Sequence, residues 1–367
     1  MIMKNKIIMI TGFPPAIHGQ AKASEDIYNY FVKQGYIVTV LPLPDVESNS
    51  FTAKLPFFLK IYVNLFLHVS FKQRPLLYIS PGRRLAGFMR DFPILLWSKF
   101  FAEKTIIQLH GGEFFSNKKD IKKFVRPIFR FAYRHIDHFI ILSKNIIPEI
   151  GFREIFENKI IVIPYGIQER GVVTEKKFDV IHILYLSNLI PSKGYLEVLK
   201  LADYLVNIKG IRNIEFHFCG NFIQTPNEKN LSLDDFEVFV QDFDLKSFVK
   251  YHGAVSGTVK EQMLEKAHFF VLPTNYPAEA QPISILEAMS FGTIVISTNY
   301  RAIPEMVIDG ITGFLIEKNN INLMAEKIQS LIENPQLYKV MQKKSFEHLT
   351  NNFSQDISLR KIHDLFI

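Results

Sequence analysis

Short runs of β-branched and aromatic residues recur along the chain without strict in–out alternation, and this feature constrains the fold most. One series comprises Ile7–Ile10, Ile37–Leu41, Thr105–Leu109, Phe139–Leu142 and Ile160–Ile163; a second comprises Ile181–Leu186, Ile214–Cys219, Phe269–Leu272 and Ile294–Ser297. A strand with one wet face alternates polar and apolar residues; a strand covered on both faces does not. Runs of the second kind, spaced by helix-like stretches, predict parallel sheets with helices on both sides. Between the two series lies a polar, charged stretch, Gln168–Asp179, that includes Gly171 and Thr174. It reads as a linker between two doubly wound α/β domains. A length of 367 residues agrees, being too long for one compact core and suited to two. In such folds ligands sit beyond the carboxyl ends of the strands, so residues there carry most weight.

The chain is 48% apolar and 22% charged, which excludes a disordered polymer. The single cysteine, Cys219, cannot pair within the chain, and no CxxC or Cys/His zinc spacing is present, so no metal site and no cofactor are expected. Ile7–Ile10 is too short for a signal sequence, and nothing approaches the roughly 20 apolar residues of a spanning helix. A soluble, cytoplasmic protein is expected. Charge is uneven: residues 1–170 carry 24 Lys/Arg against 13 Asp/Glu, and residues 171–367 carry 19 against 23. A basic half suits an anionic membrane, a phosphorylated substrate or nucleic acid.

Four segments stand at strand ends. Thr11-Gly12-Phe13-Pro14-Pro15 precedes Ile17-His18-Gly19-Gln20, where glycine permits close backbone approach and a helix start attracts anions. The spacing is not GxGxxG, and a plain strand–helix turn would read the same way. His110-Gly111-Gly112 places an imidazole where it can meet a hydroxyl or developing charge, or merely complete a loop. Lys193-Gly194, after Ser187-Asn188, can neutralise a phosphate or simply face solvent. Glu279 and Glu287 are eight positions apart, which suits a loop carboxylate followed by one at a helix N-terminus, where the dipole favours negative charge.

Taken in order, these segments resemble the retaining GT-B-fold glycosyltransferases of family four (glycosyl transferases group 1). The likeness runs through Leu184–Gly194, Phe216–Gly220, Glu279–Glu287 with Ala288–Gly292, and Glu305, Gly310 and Thr312-Gly313-Phe314-Leu315. More weakly, it includes Gly19, Gly35–Val38, His110-Gly111 and Ile163–Ile167. It implies two Rossmann-like domains facing a central cleft: residues 1–168 on the acceptor side, residues 169–345 binding the nucleotide-sugar, and a C-terminal helix in residues 346–367 crossing back. It implies transfer of a sugar, with retention, from a UDP- or GDP-sugar to a glycan or lipid-linked acceptor in assembly of a bacterial surface polysaccharide or glycolipid. By the same resemblance, Lys193 holds the diphosphate, Glu287 the ribose hydroxyls, and Glu279 faces the transferred sugar. His110 contacts that sugar from the other domain, and the Gly19 N–H approaches the phosphate. Asn188 stands where the family usually has arginine, and Ala280-Gln281-Pro282 replaces its glycine-rich segment, so Gln281, Pro282 and Ile283 are expected on the donor side. No metal is implied.

Two stretches suggest a membrane surface. In Asn117–His135, Ile121, Phe124, Val125, Ile128, Phe129 and Ala132 follow helical spacing, with Lys118, Lys119, Lys122, Lys123, Arg126, Arg130 and Arg134 as cationic complement. Leu55–Phe71 is largely apolar, with Lys60, Asn64, His68 and Lys72 as a polar stripe. Either can equally be a domain helix burying one face. Peripheral contact with the inner face of the cell membrane is expected, and Arg83 and Arg84 are candidates for an acceptor phosphate. The rivals are an epimerase or phosphorylase of the same architecture, and a non-catalytic sugar-nucleotide-binding subunit, for which Asn188 argues. Nucleic-acid binding ranks last, because the aromatic residues are not interleaved with basic ones on a recognisable module.

Overall fold

The computed structural model describes residues 6–14, 19–43, 51–67, 74–116, 123, 125–168, 175–225, 228 and 231–367, and no side chain of residues 51–54. The chain divides into two compact units. One is Met1–Tyr165 with Asp356–Ile367; the other is Gly166–Gln355. The first division falls at 165/166 rather than 168/169, and the return falls at Asp356 rather than residue 346.

The first unit contains β1 (Lys6–Thr11), α1 (Gly19–Lys33), β2 (Ile37–Pro42), α2 (Phe51–Leu67), β3 (Leu76–Ile79), α3 (Leu85–Phe101), β4 (Lys104–Gln108), α4 (Arg126–Tyr133), β5 (His138–Ile141) and β6 (Ile160–Val162). Its sheet runs in the order β2-β1-β3-β4-β5-β6, all pairs parallel. β3 was not among the expected runs, although Pro75 and Pro81 bracket Leu-Leu-Tyr-Ile, and it occupies a central place between β1 and β4.

The second unit contains β7 (Ile181–Leu186), α5 (Tyr195–Asp203), β8 (Ile214–Cys219), α6 (Leu233–Asp242), β9 (Val249–Tyr251), α7 (Gly257–Lys266), β10 (Phe269–Leu272), α8 (Ile283–Ser290), β11 (Ile294–Ser297), α9 (Ile303–Met306), β12 (Gly313–Leu315), α10 (Ile321–Glu333) and α11 (Pro335–Asn352); α12 (Gln355–Asp364) follows. Its parallel sheet runs β12-β11-β10-β7-β8-β9. β9 and β12, the two edges, have three residues each and leave too little apolar run to recognise. Both are thus doubly wound α/β units, as expected.

On one side of the first sheet, Ile7, Met9, Leu76, Tyr78, Ile106 and Ile140 pack with residues of α1 and with Ile362 and Phe366 of the C-terminal segment. Another core is aromatic: Phe129 lies 4.6 Å from Tyr133 and 4.9 Å from Phe115 between ring centroids, and Phe139 lies 4.6 Å from Phe156. The basic helix expected over Asn117–His135 is, among the described residues, the shorter α4. Residues 117–122 and 124, Lys122 among them, lie outside the described residues. The inner face of α4 buries Phe129, Ala132 and Tyr133, whereas Ile128 and Phe131 are exposed. No helix among the described residues is long and apolar enough to cross a membrane.

Candidate active site

In the second unit the site grows from the carboxyl end of β7. After Leu186 the chain makes a loop and a tight turn at Pro191–Lys193, then enters α5 through Gly194, whose φ is +87°. A β-carbon on Gly194 would lie 2.6 Å from both the carbonyl oxygen and Cγ of Pro273, so only glycine fits between this turn and the end of β10. The turn aims Lys193 inward. Its Nζ donates to Ser187 Oγ at 3.1 Å and stands 3.2 Å from Glu279 Oε2. Both side chains are mostly buried, at 17% and 12% exposure. The ring of Tyr276 lies 5.1 Å from the ammonium, a cation–π distance. Two residues 86 positions apart in sequence therefore form one ion pair. The nearby Tyr185 phenol is pushed well above its usual pKa, first by burial and then by the Glu279 charge.

The Glu279 loop is held from outside. Arg301 donates through Nη1 to the carbonyls of Pro277 and Glu279, each at 2.5 Å. Asn275 N–H donates to Ser192 O at 2.8 Å, and Lys318 Nζ donates to Asn275 Oδ1 at 2.8 Å and to Pro191 O at 3.4 Å. Glu228 accepts from both the N–H and the hydroxyl of Ser192 at 2.8 Å. Arg301, Lys318 and Glu228 were missed by sequence reasoning. Each acts on backbone or on a neighbour's side chain, and such a partnership leaves no spacing signature. Beside this loop a cavity of about 480 Å³ is lined by residues that include Thr274, Asn275, Thr298, Asn299, Tyr300 and Lys318.

Glu287 corrects an expectation. It is the fifth residue of α8, not a residue of its first turn, because Pro282 already takes the N-cap position and Ile283 begins the helix. The helix-dipole argument therefore does not apply to it. Its charge is matched instead by Lys260 of α7, 2.7 Å away. Gln281 is buried at 5% exposure. Asn188 is exposed, and its carbonyl accepts from the Tyr185 hydroxyl at 3.0 Å.

The first unit brings together a different set. His110 follows β4; one ring nitrogen meets the Tyr78 hydroxyl at 3.2 Å and the other meets the Tyr165 hydroxyl. Burial raises both phenols above their usual pKa, so both remain protonated partners. The imidazole is thereby held in one orientation, with its two nitrogens already engaged. Arg83 covers the following glycines, donating to Gly112 O at 3.2 Å; a β-carbon on Gly111 would lie 2.7 Å from its guanidinium. Arg83 and His110-Gly111-Gly112, read separately in the sequence, thus form one surface. Its base is fixed by Asp91, fully buried, which accepts from Gly82 N–H at 2.7 Å and from Arg90 Nε at 2.6 Å. Burial raises the Asp91 pKa, partly offset by Arg90. Arg84 is the exposed N-cap residue of α3, Gly19 begins α1, Lys123 is exposed, and Arg126 begins α4 with its guanidinium 6.0 Å from the Phe152 ring.

The sequence offered no metal-ligand spacing. The fold nevertheless gathers His182, Glu215 and His217, whose ligand atoms all lie within 4.8 Å of one another.

Residues 170–348, most of the second unit, match the family model described as glycosyl transferases group 1. The chain is 28% identical over 265 residues to an uncharacterized glycosyltransferase of Methanocaldococcus jannaschii, covering 71% of this chain and 68% of the relative. It is 26% identical over 286 residues to UDP-Gal:alpha-D-GlcNAc-diphosphoundecaprenol alpha-1,3-galactosyltransferase of Escherichia coli, covering 71% and 67%. Among solved structures, Anabaena HepE in complex with UDP superposes with a TM-score of 0.72 at 14% identity, over 99% of each chain. That identity speaks to the fold alone, and the family match to the chemistry. The chain has the GT-B fold, and residues 170–348 of its second unit are similar to the glycosyl transferases of group 1.

Proposed function

We propose that the chain transfers a sugar, with retained anomeric configuration, from a nucleotide-sugar to a glycan or lipid-linked acceptor in bacterial surface polysaccharide assembly. The observation that carries this reading is the Lys193–Glu279 pair at the end of β7, inside the group 1 domain. Departure of a nucleoside diphosphate leaves negative charge on the phosphate and positive character on the sugar ring. A preorganised cation stabilises the first and a carboxylate the second. A bound diphosphate gives Lys193 a second partner and draws it from Glu279, freeing that carboxylate toward the sugar. Glu287 holds the ribose hydroxyls, and Gln281, Pro282 and Ile283 line the donor side. On the first unit, His110 and the Gly19 N–H are the residues proposed to take part, His110 only by giving up Tyr78 or Tyr165 as a partner. UDP is the favoured nucleotide, because the Escherichia coli relative is named for a UDP-sugar and Anabaena HepE was solved with UDP. The transfer step itself is assigned no metal.

Calorimetric titration with UDP, GDP, ADP and CMP tests the reading. We expect one nucleotide to bind, and Glu287→Ala to weaken it by about tenfold, the worth of roughly one hydrogen bond to a charged group. If none binds, the nucleotide-sugar reading fails.

The acceptor side is assigned to a membrane surface. On α2, Leu55, Phe57, Leu59, Val63, Phe66 and Leu67 are all exposed, so apolar residues as well as the Lys60–Asn64 stripe face solvent. Lys99 of α3 stands 4.1 Å from the ring of exposed Phe131, which adds positive charge to apolar surface. Such surface partitions into an anionic interface by area and by charge together. The protein is expected to sediment with anionic vesicles at low salt, less so after Phe66→Ser with Leu67→Ser. Equal sedimentation with neutral and anionic vesicles, or none, removes this assignment.

A further inference from the structure

We propose that His182, Glu215 and His217 form a zinc site of the second unit, separate from the transfer site. Parallel pairing of β7 with β8 sets His182 opposite Glu215, and the two-residue step from Glu215 to His217 returns to the same face of the sheet. The three converging atoms form a nearly regular triangle. His182 Nδ1 to His217 Nε2 is 3.1 Å, His182 Nδ1 to Glu215 Oε2 is 3.4 Å, and His217 Nε2 to Glu215 Oε2 is 3.5 Å. Ligand atoms about 2.0–2.1 Å from a tetrahedral ion stand roughly 3.3 Å apart, so this triangle is one face of such a site. Two imidazoles and a carboxylate are a ligand set that zinc accepts, with its fourth position left for water.

A hydrogen-bonded histidine chain without an ion accounts for only part of this geometry. His217 Nδ1 lies 3.0 Å from His252 Nε2. A neutral imidazole carries one N–H, so the tautomer in which His217 Nδ1 donates to His252 Nε2 leaves the His217 Nε2 lone pair facing the triangle. Glu215 Oε2, buried from solvent, makes no hydrogen bond. Lone pairs then converge on one point, an arrangement that a cation resolves. Two lysines share the carboxylate. Lys250 Nζ is 2.7 Å from the other oxygen, Oε1, where it orients the group as an outer partner; Lys266 Nζ is 3.6 Å from Oε2 and its side chain is half exposed, free to swing into water.

The position gives the role. His182 and Glu215 are the second residues of their strands, whereas Lys193 follows the opposite end of β7. The ion would tie two strands at the end away from the transfer site, so its effect is on stability.

The test titrates chelator-stripped, full-length protein with zinc chloride alone. We expect about one zinc per chain by equilibrium dialysis and a higher thermal midpoint with zinc present. Glu215→Gln and His217→Gln should each weaken binding at least tenfold, while His348→Gln on α11 leaves it unchanged. X-ray absorption of the zinc-loaded wild-type protein should show two imidazole nitrogens and a carboxylate oxygen, a readout that needs no variant to fold. Undiminished binding in the Glu215→Gln/His217→Gln double variant, substoichiometric uptake, or a spectrum without two imidazoles would overturn the proposal.

Discussion

Lys193→Ala should lower sugar transfer by roughly 10²–10³-fold, the usual consequence of removing one preorganised donor from a developing anion. The effect should lie at the upper end of that range if, as the resemblance to group 1 implies, Asn188 stands in place of a second cation. The structure adds a complication. Removing the ammonium also strands Glu279, whose Oε2 makes no hydrogen bond and whose side chain is 12% exposed. Deleting one partner of a fully buried pair costs about 3–5 kcal/mol; residual exposure places this pair at or below the lower bound. Loss of activity alone would therefore confuse a catalytic role with a structural one. A Lys193→Ala/Glu279→Ala double variant separates them, since it removes the stranded charge. It should recover most of the thermal stability and none of the turnover. Near-normal transfer by folded Lys193→Ala would refute the role given to this lysine.

Gly194→Ala should be among the most damaging single-methyl changes in the second unit. A left-handed conformation costs an L-residue roughly 1–2 kcal/mol, and forced overpacking adds about 1–3 kcal/mol. Here both apply, since φ is +87° and the added carbon meets Pro273 at 2.6 Å through a carbonyl oxygen and a ring carbon. Backbone and proline ring cannot rotate away as a lysine would. An unfolding midpoint shifted by several degrees is expected, together with weakened nucleotide binding, because the same turn positions Lys193. Wild-type stability with intact binding would show that the turn relaxes more freely than its contacts imply. Gly210→Ala is the matched control: its φ is +70°, with nothing within 4 Å of the added carbon, so it carries the conformational cost alone.

What could be read from the sequence follows from how far apart the interacting residues lie. β7, β8, β10 and β11 were bounded correctly because their burial is a local property of apolar runs. β3 was overlooked beside a long apolar helix, and β9 and β12 are too short to register. Lys193 and Glu279 were recognisable by order and neighbours, but their contact was not, because nothing local to either states that β7 and β10 are adjacent. The Glu287 position failed for a local reason: Pro282 signals an earlier helix start, and it was read as part of the loop. Arg301 and Glu228 act by closing hydrogen bonds on distant backbone or side chains. The histidine group depends wholly on strand register, since His182 and His217 are 35 positions apart.

The placement of Ile362 and Phe366 in the core of the first unit has a consequence for synthesis. That unit carries β1 ahead of the second unit yet takes two core residues, Ile362 and Phe366, from a segment that follows it. On the ribosome its sheet emerges first but must wait, with that part of its core uncovered, until residues 356–367 have been made. The second unit is one uninterrupted segment and can close while synthesis continues. The half made first is therefore the half finished last, and emergence of residues 356–367, rather than of its sixth strand, completes the first unit.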